Sequence, residues 1–311
     1  MAGGAPRPQG PRPQPGWRAV LLLAGFLLVA PPVFVLGPLA GLLLVSRPAS
    51  RREWVWVAGL IAWSGLWLQQ SGGVNMHWVR AAAVLLSGAF VALTVWRPSQ
   101  HFSRALVATG LAGAALGAWT AALEIEWATV RRAVEADLAA YHRALQAELA
   151  GANASREMLA QMSDLSDTVA LLYPGLVALA AIGGLRLAWA WYHRIAERPL
   201  GPPPAPFAAF RFSDQLVWGG VAGLALCLMP LSEAWRTVGV NLLLVWAVLY
   251  ATRGLAIFSA GSARVPRPVL AALTLVAMFM LPFVLGGLTL LGLADTWLDF
   301  RRRLAASATG G

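Results

Sequence analysis

The sequence contains no lysine, one cysteine and few charged residues. All 24 basic residues are arginines, and charged residues make up only 12% of the 311 positions. A soluble domain carries about 25% charged residues. Hydrophobic residues reach 58%, and the mean hydropathy is +0.63. This composition excludes a soluble globular enzyme and a disordered chain, and it indicates a membrane protein that crosses the bilayer several times. We interpret the arginine-only usage as the codon composition of a GC-rich genome.

The scarcity of reactive and metal-binding side chains limits the chemistry. The single Cys227 excludes an intrachain disulfide and a cysteine-based metal site. No His-Glu-x-x-His, Gly-x-Ser-x-Gly or Gly-x-x-x-x-Gly-Lys motif is present. The histidines lack metal-ligand spacing; they are His77, His101, His142 and His193. We therefore expect no metal, no cofactor and no catalytic centre, and we rank an enzyme acting on lipids last.

The net charge of +10 does not indicate nucleic-acid binding. The arginines are scattered in short loops between apolar segments, where they commonly set the orientation of a membrane protein. No basic groove with interleaved aromatic residues occurs. We expect the partner of the protein to be the lipid bilayer and not a nucleic acid.

Eight apolar segments follow a proline-rich start, and most approach the roughly 20 residues that cross a bilayer. Each must be helical, because unpaired backbone groups are too costly in lipid. The predicted fold is therefore an all-α, polytopic transmembrane bundle. The segments are A, Trp17–Ser46; B, Glu53–Gln70; C, His77–Trp96; D, Ser103–Leu123; E, Thr168–His193; F, Asp214–Met229; G, Arg236–Phe258; and H, Val269–Leu293.

Proline interrupts the first and last segments, so the bundle has eight to ten membrane helices. Segment A contains Pro31-Pro32 and segment H contains Pro282, and each could be one kinked helix or two short helices. Single crossings divide the arginines evenly between the two sides. Paired helices place 18 of the 24 arginines on the inside, as the positive-inside rule favours. We therefore favour pairs, with both termini cytoplasmic in a bacterial inner membrane.

One long polar stretch, residues 124–167, separates segments D and E. It holds eight of the 14 carboxylates, which favours an external location. Its apolar residues recur at helical spacing, so we expect helix D to continue to about Leu149 and a second helix to return as an extracytoplasmic hairpin. The hairpin packs on itself, docks a partner protein or lies as a lid on the membrane surface. Its first stripe is Leu123, Trp127, Val130, Val134, Leu138, Tyr141, Leu145 and Leu149.

These boundaries define five regions of the chain. Residues 1–16 form a Pro/Arg tail in the cytoplasm, and residues 17–123 form the N-terminal membrane helices. The hairpin of residues 124–167 is followed by the C-terminal membrane helices of residues 168–298, which include a proline-rich loop at 199–206. Residues 299–311 form a cytoplasmic tail.

Polar residues at membrane depth are costly and therefore mark candidate sites. Asn241 in segment G could bond across helices or line a polar cavity, and we leave both open. Asp295 and Asp299 share a helical face. They could form local ion pairs at a helix end, or Asp295 could pair with an arginine from elsewhere, such as Arg253. The candidate ligand-binding residues are Asn241, Arg253, Asp295, Asp299 and Arg301.

The C-terminal third carries a family resemblance. The run from Asn241 through Leu249-Tyr250 to Gly254-Leu-Ala, together with the ending Leu-Gly-Leu-Ala-Asp295-x-x-x-Asp299-Phe-Arg301, resembles the YybS-like bacterial membrane proteins of unknown function. Tyr173-Pro174 and the stretch 207–218 also fit. Such proteins are distantly similar in layout to the substrate-binding subunits of energy-coupling-factor transporters. That similarity implies capture of a small ligand within the bundle, although segment A lacks the Ala-x-x-x-Ala docking motif of those subunits.

Two functions therefore remain in view. The first is a transport-type subunit that binds a small ligand of unknown identity. The second is a membrane scaffold or assembly factor that acts through the outer hairpin and the cytoplasmic loops.

Overall fold

The computed structural model describes residues 16–71, 73–98, 101–149, 156–262 and 265–300. Eleven α-helices and two short 3-10 turns, but no strands, lie within these ranges, which confirms the all-helical prediction. The helices are α1, Gly16–Val29; α2, Val33–Val45; α3, Arg51–Gln69; α4, Val74–Trp96; α5, His101–Ala122; α6, Trp127–Leu149; α7, Arg156–Ile195; α8, Val217–Leu228; α9, Glu233–Gly261; α10, Arg267–Phe279; and α11, Leu281–Leu298.

Five of these helices contain stretches long and apolar enough to cross a membrane. The stretches are Asn75–Trp96, Phe102–Ala122, Leu165–Ile195, Glu233–Gly261 and Leu281–Leu298. Large apolar side chains such as Leu28, Phe279 and Phe283 lie almost fully exposed on the helices. Surfaces of this kind contact lipid, so the chain is a multi-pass membrane protein. The predicted terminal tails fall mostly on residues 1–15 and 301–311, which lie outside the described residues.

The prolines of segments A and H bend the chain without producing packed pairs. Met280 alone separates α10 from α11, and backbone hydrogen bonds of 3.0 Å join Met280 to Val276 and Val284 to Met280. Pro282 sits in the first turn of α11, where its missing N–H leaves no helical bond broken. Helix α1 does not pack lengthwise against α2, and α10 does not pack lengthwise against α11. Segments A and H are therefore each divided into two helices, as the arginine count favoured, but the two helices of each segment do not pack side by side in the described residues.

The long polar stretch differs from the prediction at its beginning. Helix α5 ends at Ala122, and Glu124 adopts a left-handed conformation with φ of 54°. The predicted continuous helix from segment D to Leu149 is therefore wrong, since α6 starts anew at Trp127. Helix α6 packs on α7, and α7 continues for 40 residues through Pro174 as a single helix. The predicted turn near Asn153 lies outside the described residues.

Two buried clusters hold the bundle together. The first lies between α2, α3, α4, α5 and α7 and includes Phe34, Phe90 and Trp189. The second joins α7, α9 and the loop after α7 through Phe210, Phe212 and Tyr250. Both clusters bury large aromatic side chains, and burial of this kind fixes the relative positions of the helices.

Glycines allow the closest helix approaches. A Cβ at Gly254 of α9 would lie 2.0 Å from the carbonyl oxygen of Leu288, and one at Gly292 of α11 would lie 2.0 Å from that of Tyr250. The backbones of α9 and α11 therefore touch at these two residues. This contact determines which side chains of the two helices meet.

Candidate functional site

The first candidate site is an arginine–aspartate cluster where α9 meets α11. Arg253 is fully buried, and its Nε donates to Asp295 Oδ2 at 3.0 Å. Its Nη1 donates to Asp214 Oδ1 at 2.8 Å. The ring of Phe212 lies 5.3 Å from the guanidinium carbon. The glycine contact next to Arg253 brings the two helices close enough for this pairing.

Half-exposed residues extend the cluster towards the surface. Arg211 lies 3.8 Å from Asp214 and 3.9 Å from Asp299. Asp299 ends α11 in a left-handed conformation, with φ of 43°. This turn lets the backbone N–H of Phe300 donate to the second oxygen of Asp295 at 3.1 Å. The cluster therefore joins α9, α11 and the loop before α8, with its charge largely compensated inside.

The structure brings together three of the residues that the sequence nominated. Arg253, Asp295 and Asp299 belong to the cluster, and Asp295 pairs with Arg253 as the second interpretation suggested. Arg301 lies outside the described residues. Sequence reasoning missed Arg211 and Asp214, although both fall in the stretch 207–218 that contributed to the resemblance. The sequence signal that could have identified them is the carboxylate of Asp214, which follows the phenylalanine-rich part of this stretch.

Asn241 lies elsewhere and bridges α9 to α7. It precedes Arg253 by twelve residues, or about 18 Å along the helix. Its Oδ1 accepts the backbone N–H of Gly175 at 2.7 Å, and its Nδ2 donates to the carbonyl of Leu171 at 2.9 Å. These two backbone groups flank Pro174, which has no N–H to donate to the carbonyl of Ala170. The amide of Asn241 bonds to α7 on either side of this proline, so its contact is between helices.

A cavity of about 270 Å³ lies between α4, α5 and α7. Phe34 of α2 lines one end, and Trp78 and Trp127 line the other. Its lining contains no charged residue and includes none of the nominated polar residues. The residues are Phe34, Trp78, Val79, Ala82, Leu86, Thr109, Ala112, Gly113, Leu116, Gly117, Thr120, Trp127, Val130, Tyr173, Pro174, Val177, Ala178 and Ala181. An apolar space of this size stays dry and accepts apolar molecules.

No group of three His, Cys, Asp or Glu side chains in the described ranges could hold a metal ion. The arginine–aspartate cluster offers paired charges, which suit a structural or docking role. The cavity offers space without polar groups, which suits binding by shape.

Comparison with known proteins gives a family and no further relatives. No curated protein matches the chain, and no solved structure matches it. The family model described as "Predicted membrane protein (DUF2232)" matches residues 19–296. Because this match covers most of the chain, the protein belongs to the family of predicted membrane proteins designated DUF2232.

Proposed function

We propose that the protein is a transport-type membrane subunit that binds a small ligand inside its helical bundle. The observation that carries this proposal is the cavity between α4, α5 and α7. The cavity is open along Gly113 and Gly117, which lie exposed on α5, so a ligand can enter it. The resemblance to YybS-like proteins, which are distantly similar in layout to the substrate-binding subunits of energy-coupling-factor transporters, adds support. The proposal includes a bacterial inner membrane with both termini in the cytoplasm, an orientation that the arginine distribution favours if segments A and H each cross the membrane twice.

The arginine–aspartate cluster has a different part in this proposal. Arg253 and Asp295 hold α9 against α11, while Arg211, Asp214 and Asp299 present charge at the surface. We propose these residues, with Arg301, as contacts for a coupling partner. In this arrangement Asn241 supports α7, whose residues Val177 and Ala181 line the cavity.

Mass spectrometry of the protein in native-like lipid discs tests the proposal. The expected result is a stoichiometric small molecule, with or without a coupling ATPase. Leucine at Gly117, which lines the cavity, should remove the small molecule. Leucine at Gly110, on the same helix and outside the lining, should retain it. Absence of any bound small molecule from the unaltered protein contradicts ligand binding.

A scaffold role is the second candidate, and one observation favours it. The apolar stripe of α6 is buried at Val130 and Val134 but emerges at Tyr141, which is 66% exposed. Leu165 of α7 is 60% exposed. A partner protein could cover these side chains. Tyr141→Ser and Leu165→Ser, at positions outside the cavity lining, should then remove co-purifying envelope proteins, whereas a ligand-binding subunit keeps its small molecule.

A further inference from the structure

We infer that the cavity receives one hydrocarbon chain of a membrane lipid, with the polar head of that lipid at the Trp78–Trp127 end. This inference rests on the proposed ligand-binding function and names the class of ligand. It excludes ions, sugars and other water-soluble compounds as occupants.

The hydroxyl groups of the lining are already engaged within the protein. The buried Nε1 of Trp127 has no hydrogen-bond partner in the described residues, and it lies at the end of the cavity assigned to the polar head. Thr109 donates to the carbonyl of Ala105 at 2.8 Å, and Thr120 donates to that of Gly117 at 2.7 Å. The hydroxyl of Tyr173 donates to Asn75 Oδ1 at 2.6 Å. A polar ligand would give up its hydrogen bonds to water and gain few in return, at a cost of several kcal/mol. Only an apolar occupant avoids this loss.

The dimensions of the cavity match one leaflet. Its lining runs along α4 from Trp78 to Leu86 and along α5 from Thr109 to Thr120. At 1.5 Å per residue, these stretches span about 12 and 16 Å. The hydrocarbon part of one leaflet is about 15 Å thick, or half of the bilayer core. Tryptophans prefer the membrane interface, so the cavity extends from an interface to the bilayer midplane, which is the path of a lipid chain.

The side wall permits entry from the bilayer. Gly113 and Gly117 lie on the exposed face of α5, and a Cβ at either position would meet no atom within 4 Å. A chain can therefore slide in sideways between lipid and protein without passing through water. Phe34 closes the deep end, which limits how far the chain can reach.

Photo-crosslinking in lipid discs tests this inference. The discs contain phosphatidylcholine with a small fraction of the same lipid carrying a diazirine within one acyl chain. We expect crosslinks at Leu116, Val177 and Ala181 to exceed those at Val107 and Leu111 at least threefold. The latter two face outwards from α5 and do not line the cavity. Leucine at Gly113 should reduce the cavity crosslinks several-fold, and leucine at Gly110 should not. The comparison of crosslinked residues in the unaltered protein tests the inference even if the Gly113 variant does not fold.

Mass spectrometry of the same discs separates this inference from the proposed function. Equal crosslinking inside and outside the cavity, with a water-soluble molecule bound stoichiometrically, overturns the lipid assignment and leaves the ligand-binding function standing. Equal crosslinking with no bound molecule overturns both. Enriched cavity crosslinks that disappear with leucine at Gly113 support both.

Discussion

The side chain of Asn241 completes the backbone hydrogen bonding of a different helix, at Gly175. Its amide bonds to the N–H of Gly175 and to the carbonyl of Leu171, on either side of Pro174, which has no N–H for the carbonyl of Ala170. A third bond at 2.9 Å ties the same amide to the carbonyl of Thr237 in its own helix. Two membrane helices are therefore joined through one side chain.

Replacing Asn241 by alanine should destabilise the protein by about 1–3 kcal/mol, because two buried backbone groups of α7 lose their partner. The measurement is the unfolding midpoint in mixed detergent–SDS micelles. Thr252→Ala on the same helix is the control, since its hydroxyl bonds only to its own helix at Val248. Equal midpoints for the two variants would falsify the bridging role of Asn241.

Arg253 and Asp295 should behave as a coupled pair. Arg253→Leu leaves a buried carboxylate without its cation, which typically costs about 3–5 kcal/mol. Asp295→Leu leaves Arg253 with only the half-exposed Asp214. The double variant should be more stable than the sum of the single effects predicts, by about 0.5–3 kcal/mol. A double-mutant cycle of unfolding midpoints measures this coupling, and strict additivity would contradict the pairing.

The contact between Gly254 and Gly292 should not tolerate even one methyl group. Alanine at either position would bring its Cβ to 2.0 Å from a backbone oxygen of the other helix, so the helices must separate at a cost of about 1–3 kcal/mol. Gly286→Ala and Gly287→Ala are matched controls on α11, because their Cβ atoms would meet nothing within 4 Å. The measurement is the thermal unfolding temperature of the four variants in detergent. It should fall for alanine at Gly254 and at Gly292, and it should stay unchanged for Gly286→Ala and Gly287→Ala.

Glu53 should confer a pH-dependent part of stability. It caps α3 outside the five candidate spans, and it accepts the backbone N–H groups of Glu197, Ser50 and Ala49. The hydrogen bond from Glu197, followed by that from Ser50, holds the pKa of Glu53 below its ordinary value of 4.5. Because the folded pKa is lowered, this stabilisation is complete above pH 4.5 and is lost as the pH falls through the folded value.

Glu53→Gln tests this dependence. Its unfolding temperature should lie below that of the unaltered protein at pH 7, and the difference should shrink as the pH falls below 4.5. Glu233→Gln is the control, because Glu233 forms only an exposed pair with Arg131 and such pairs contribute little. A difference that stays constant down to pH 3 would count against the capping role.

Local composition was sufficient to predict the helical class, because unpaired polar groups are costly in lipid. The same cost nominated Asp295 and Arg253 but left open whether Asp295 pairs locally or with Arg253. The break at Glu124 could not be predicted, because the helical spacing of apolar residues continues from Leu123 to Trp127 across it. The role of Asn241 depends on its neighbour Pro174 in another helix, 67 positions earlier, and no local pattern contains that contact. Asp214 was missed because it lies in an irregular stretch, where periodicity is not informative.

The length of α7 has a mechanical consequence. Forty residues form a rod about 60 Å long, roughly twice the thickness of the bilayer core. The rod is held at Gly175 by Asn241, near its middle, with arms of about 28 and 30 Å on either side. The arm that packs against α6 is continuous with the opposite arm, whose Trp189 and Tyr192 are fully buried in the first cluster. One helix therefore connects the long polar stretch directly to the packed core of the bundle.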